Sequence, residues 1–145
     1  MGNFEQAYLE NHVKKFIEGE LRKYKTNQQI IQQYEEERQA IASKVSGGIG
    51  QIPESKEVSD PVFKRYIWLE KIEGKADRAR RYNRMIDDVY NELLNDEERR
   101  IVKMKYFDGL LTEYGICREL GMDRTTFWRK KKEILRKFAE RMAFM

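Results

Sequence analysis

The sequence contains one cysteine, one histidine and two prolines, and no long apolar run. A single cysteine, Cys117, excludes an internal disulfide and a thiolate metal cluster, and it suits a reducing cytosol. The single histidine, His12, has no Cys, Asp or Glu cluster at ligand spacing around it, so no metal role is expected. No stretch approaches the roughly 20 apolar residues needed to span a bilayer, and no membrane partner is expected. Met1 to Glu10 has no apolar core of the kind a signal peptide carries. No nucleophile is paired with a histidine. The glycines of Ser46-Gly47-Gly48-Ile49-Gly50 lack the following Lys and the preceding strand of a phosphate loop. The sequence thus predicts neither an enzyme nor a cofactor-binding protein.

What the sequence has is charge. Asp, Glu, Lys and Arg make up 37% of it, which favours long solvated helices over a compact sandwich. The net charge is only +4, so the placement of basic residues matters more than their total. An all-α fold is expected, in four segments. Residues 1–42 form N-terminal helices, in which Leu9, Val13, Phe16, Leu21 and Tyr24 make an apolar stripe. Lys25-Thr26-Asn27 interrupts it, and Ile30, Ile31, Tyr34 and Ile41 continue on a second helix with Glu35, Glu36 and Glu37 on its wet side. Residues 43–60, with three glycines, four serines and Pro53, form a flexible linker. Asp60 as N-cap and Pro61 at the first helical position then start a long helix over residues 61–94. Its seam is Leu69, Ile72, Ala76, Ala79, Tyr82, Ile86, Val89 and Leu93, available for packing on the first helices or on a second copy of the chain.

Residues 95–145 carry the clearest signals. Asn95 and Glu98 form a capping box ahead of a helix that ends at Asp108-Gly109. Thr112 caps a short helix, Gly121 ends it in the left-handed conformation, and Asp123 (or Thr125) caps the last helix. Two short-linked helices, the second basic, form the pattern of a helix-turn-helix, whose second helix lies in the major groove. Ile116 and Leu120 supply inward apolar residues, Cys117 a small side chain at the crossing, and Met122 a plug under the turn. On the last helix Phe127, Ile134, Phe138 and Met142 share one stripe and should be buried, while Thr125, Trp128, Arg129 and Lys132 share an open side. Residues 124–141 hold eight Lys or Arg against Glu133 and Glu140, a local excess greater than that of the whole chain. About 6 phosphate contacts would make binding steeply salt-dependent.

Double-stranded DNA is therefore the expected partner. The candidate contacts are Arg124, Thr125, Thr126, Trp128, Arg129, Lys130, Lys132 and Arg136, with Trp128 on a sugar-phosphate or a thymine methyl. A second basic cluster on the long helix includes Arg78, Arg81 and Arg84. As a functional surface it would touch flanking DNA or an acidic partner, although a solvated helix face is its simpler role. A different class of function, a packaging protein like a small terminase subunit, also joins a helix-turn-helix to helical oligomerisation segments. A ring of about eight or more copies in solution would mark that class, and a monomer or dimer the regulator. A third possibility is an interaction protein that contacts RNA polymerase without DNA affinity.

The stretch from Asn95 to Phe138 resembles region 4 of bacterial sigma factors, through Tyr106-Phe107 and the turn Ile116-Cys117-Arg118-Glu119-Leu120-Gly121. Thr126-Phe127-Trp128-Arg129, the following Lys-Lys and Lys137-Phe138-Ala139 resemble the ArpU/RinA-type phage transcriptional regulators of Gram-positive hosts, whose helical layout is similar along most of the chain. The resemblance implies a cytoplasmic activator of phage or prophage late genes for packaging, morphogenesis and lysis. It also implies contacts through Arg124, Thr125, Trp128, Arg129 and Lys132, and host RNA polymerase as a second partner. This chain departs from the usual pattern at Gly115, where Glu or Ala is commoner, and at Asp123, where Ser is frequent. It has no equivalent of sigma region 2, so it is not expected to melt promoters by itself.

Overall fold

The computed structural model describes residues 10–44 and 61–143. The described residues are helical with no strand, so the fold is all-α. In chain order the helices are α1 (Asn11–Arg22), α2 (Tyr24–Lys44), α3 (Pro61–Asp88), α4 (Asp96–Val102), α5 (Glu113–Leu120) and α6 (Arg124–Arg141). Single π turns extend α3 over Val89–Leu93 and α4 over Lys103–Phe107. Leu9, Asp60 and most of the expected linker lie outside the described residues.

The chain divides into two compact units, and α2 and α3 each pass from one into the other. The smaller is Thr26–Arg81, where Tyr34 and Ile41 of α2 and Leu69 and Ala76 of α3 are buried together. Arg80 pairs with Glu35 and Asp77 there and lies over the Tyr34 ring.

The larger unit comprises the described residues up to Lys25 and from Tyr82 onward. Its core gathers Ile17 and Leu21 of α1, Ile86 and Val89 at the end of α3, Ile101 and Val102 of α4, Ile116 and Cys117 of α5 and the inward side of α6. The expected α6 stripe is buried: Phe127, Ile134, Phe138 and Met142 are all closed to solvent. Leu135 and Ala139 are buried too, which widens the stripe into a broad face because α1 packs on it as well as α4 and α5.

Two expectations need correction. The first helix breaks at Lys23, and Thr26 and Asn27 lie inside α2. Tyr24 can open α2 because its ring stacks on Phe107 at 4.5 Å and its carbonyl accepts from Asn83 Nδ2 at 3.1 Å. The seam of α3 does not end on Leu93, which is exposed, but on Leu94, which is buried. The cause is the π turn, closed by the Leu94 N–H donating to Val89 O at 3.1 Å. It inserts one residue into the helical repeat and advances the buried position by one. Carbonyls left over at this helix end are captured by side chains. Arg99 donates to Tyr90 O at 2.7 Å and Asn91 O at 2.8 Å, and Lys137 donates to Leu93 O at 3.2 Å.

Gly115 is a plain helical residue without a positive φ. A Cβ there would meet Thr112 Oγ1 at 3.5 Å and Leu111 Cβ at 3.6 Å, ordinary contact distances. Gly115→Ala is therefore expected to raise the unfolding free energy by about 0.5–1 kcal/mol, measured by urea denaturation; a loss of stability would show that α5 needs the glycine.

Candidate nucleic-acid interface

Local chemistry builds the α5–α6 corner. The Thr112 hydroxyl accepts from the Gly115 N–H at 3.1 Å and starts α5. Gly121, at φ 65°, ends it. The N–H of Met122 donates to Cys117 O at 3.0 Å and that of Gly121 to Arg118 O at 3.4 Å, the two bonds of a Schellman turn. Asp123 then caps α6, its carboxylate accepting from the Thr126 N–H at 2.7 Å. Cys117 is buried where α5 meets the turn, with Sγ 4.0 Å from Asp123 O. Three residues thus join two helices, and each end is satisfied by its own side chains or backbone. The Thr126 backbone and hydroxyl, and then the Arg129 guanidinium, hold the Asp123 carboxyl below the usual carboxylate range. Asp123 is accordingly anionic at neutral pH, a charge that suits the positive end of α6.

The outward side of α6 collects five of the expected contacts. Arg124, Thr125, Trp128 and Arg129 are exposed and Lys132 is half-buried, with its ammonium 4.8 Å above the Trp128 ring. Trp128 is 54% exposed, a large apolar area for a monomer to leave in water. Thr126 is half-buried beside the cap.

The remaining basic residues of α6 are engaged. Lys130 pairs with Glu97 at 2.5 Å, Lys131 with Glu113 at 2.9 Å, Lys137 with Glu98 at 3.0 Å and Arg141 with Asp88 at 2.8 Å. Arg136 is held by Glu133 and Glu140 on its own helix. Glu113 also pairs with Lys105 at 3.0 Å. Burial raises the Glu113 pKa, but Lys131 and Lys105 more than offset it and the net shift is downward. Arg124, Arg129 and Lys132 therefore remain as the α6 cations without an ion pair among the described residues. Lys130 and Arg136, also expected on DNA, are ion-paired within the protein. Sequence counting misses this because Asp88, Glu97, Glu98 and Glu113 belong to other helices; their position at helix ends was the only local sign.

Of the second basic cluster, Arg81 and Arg84 are exposed and Arg78 is half-buried. The described residues contain no group of three or more His, Cys, Asp or Glu placed to hold a metal ion, and no described helix is long and apolar enough to cross a membrane.

Residues 38–139 match the family described as a protein of unknown function, DUF1492. The chain belongs to that family. The match begins within α2 and ends within α6, so it takes in the whole α5–α6 corner. Comparison with curated proteins and with solved structures finds no match.

Proposed function

We propose that the chain is a sequence-specific DNA-binding regulator of transcription, an activator of phage or prophage late genes of the ArpU/RinA type. The observation that carries this reading is the corner itself: a short helix, a Schellman turn and an Asp-capped helix that buries one face and leaves Arg124, Thr125, Trp128, Arg129 and Lys132 on the other. Such a pair of helices offers the first turns of the second to a major groove about 12 Å wide. Arg129 is the best candidate for base recognition, being exposed, without an ion pair among the described residues and one turn into α6, where a guanidinium can bond a guanine edge with two donors.

The test is a fluorescence-anisotropy titration of the full chain on duplexes recovered by selection from random DNA and on phage late-promoter DNA. Arg129→Ala is expected to cost about 1–3 kcal/mol of affinity on the selected sequence and much less on random duplex. The salt slope of the wild type should lie nearer to about −3 than to the about −5 that the full basic excess of α6 would give, because most of that excess is neutralised within the protein. Equal binding to all duplexes, indifferent to Arg129→Ala, would refute the reading.

A further inference from the structure

The two edges of the exposed α6 face differ. On one edge a cleft of about 50 Å³ opens between α1 and α6, lined by Lys14, Glu18, Trp128, Lys131, Lys132 and Leu135. On the other, a cleft of about 360 Å³ is lined by Asn95, Glu98, Arg129, Lys130 and Glu133. By formal charge the first holds three ammonium groups against one carboxylate, and the second holds Arg129 and Lys130 against Glu98 and Glu133. Only the first has a surplus of positive charge.

We propose that the α1–α6 cleft seats one backbone phosphate of the bound duplex, held by Lys14 and Lys132 beside Trp128. The inference rests on the DNA-binding reading above and assigns a role in it to α1. Glu18 makes no ion pair with these lysines among the described residues; its Oε2 accepts from the Tyr106 hydroxyl at 2.6 Å, and its charge offsets one of them. Lys131 is committed to Glu113. Lys14 has no ion-pair partner among the described residues, and Lys132 rests on the Trp128 ring, so both keep ammonium donors for an incoming oxyanion. Lys14 and Lys132 less the Glu18 carboxylate leave a net charge of +1 in the cleft, which matches the single negative charge of a phosphodiester. Leu135, buried behind them, keeps water away from one side of the site and strengthens the attraction. Trp128 gives the adjoining sugar an apolar wall. The geometry also fits the docking: a helix in the major groove has a phosphate strand along each edge, and Lys14 on the neighbouring helix joins Lys132 toward the strand on that edge.

The experiment compares wild type, Lys14→Ala, Lys14→Arg and Lys15→Ala by anisotropy on the selected and on random duplex over a range of salt. Lys15 is exposed on the same helix but does not line the cleft. Lys14→Ala is expected to weaken binding about eight-fold at 0.1 M salt and to reduce the magnitude of the salt slope by about 0.9, equally on both duplexes, as loss of one phosphate contact requires. Lys14→Arg should retain the slope, and Lys15→Ala should leave it unchanged. A Lys14→Ala loss no larger than that of Lys15→Ala overturns the assignment while leaving the DNA reading intact. Failure of the wild type to bind any duplex removes both. Inorganic phosphate should displace duplex from the wild type beyond the effect of chloride at equal ionic strength, and not from Lys14→Ala, because both compete for the cleft. Lys14-dependent binding of inorganic phosphate that leaves duplex bound would give the cleft to free phosphate and overturn the duplex assignment.

Discussion

Replacing Glu98 by Ala is expected to cost the larger unit about 3 kcal/mol, the lower part of the range for breaking a buried ion pair. Glu98 is 5% exposed, and one carboxylate serves two helices. Its Oε1 accepts from the Asn95 N–H at 2.9 Å, while Asn95 Oδ1 accepts from the Glu98 N–H at 2.8 Å, so the start of α4 is closed from both sides. The same carboxylate receives the Lys137 ammonium of α6 at 3.0 and 3.1 Å. Truncation leaves an amide without its acceptor and an ammonium without its counter-charge. The Lys137 side chain is 26% exposed and can turn toward water, which keeps the cost near 3 rather than 5 kcal/mol. A double-mutant cycle tests the mechanism. Lys137→Met alone strands the carboxylate and should also destabilise, whereas Glu98→Ala with Lys137→Met should cost less than the sum by about 1–3 kcal/mol. Urea unfolding with an unchanged m-value is the measurement. Additive losses would show that the two side chains act separately.

That pair also marks the boundary of what sequence makes visible. Asn95 with Glu98 is a local pattern, three residues apart, and the capping box can be seen before any coordinates exist. So can Thr112, Gly121 and Asp123, because caps and turns are governed by neighbours in the chain. The Phe127, Ile134, Phe138 and Met142 stripe is visible because burial follows the helical period. Lys137 bonding to Glu98 is not visible, since it joins residues 39 apart through packing alone. The same limit hides Lys130 with Glu97 and Lys131 with Glu113, and it makes α6 look more basic than the folded surface is. Leu93 and Leu94 show a second limit. Both are leucines at the end of one stripe, and only the extra residue of a π turn decides which is buried. Nothing in Val89-Tyr90-Asn91-Glu92-Leu93 announces that turn. Lys14 is hidden for a third reason: one lysine on a charged helix acquires meaning only when α1 packs against the Trp128 side of α6.

The largest effect is expected from Phe138→Ala, about 4 kcal/mol within the range for emptying a buried phenyl site. Phe138 is completely buried and is the largest side chain so enclosed among the described residues. It shares a core with Ile17 and Leu21 of α1, Ile101 of α4 and Ile116 of α5, three helices that cannot all close on the cavity together. Domains have only about 5–15 kcal/mol of stability, so this loss should leave the unit partly unfolded at physiological temperature. Phe138→Leu keeps most of the volume and should cost well under half as much. Because Phe138 faces inward and Arg129 outward on the same helix, packing and DNA reading should separate in one experiment. On the proposed DNA-binding function, duplex at about 100 times its Kd should stabilise both the wild type and Phe138→Ala by about 2.7 kcal/mol, since the folded fraction of the variant still presents the proposed reading face intact. In Arg129→Ala the order reverses: stability without DNA is normal and the stabilisation by duplex is small. A Phe138→Ala protein that folds at low temperature yet gains nothing from DNA would mean that the reading face depends on the core packing beneath it, and α6 would then have to be treated as one unit rather than two independent faces.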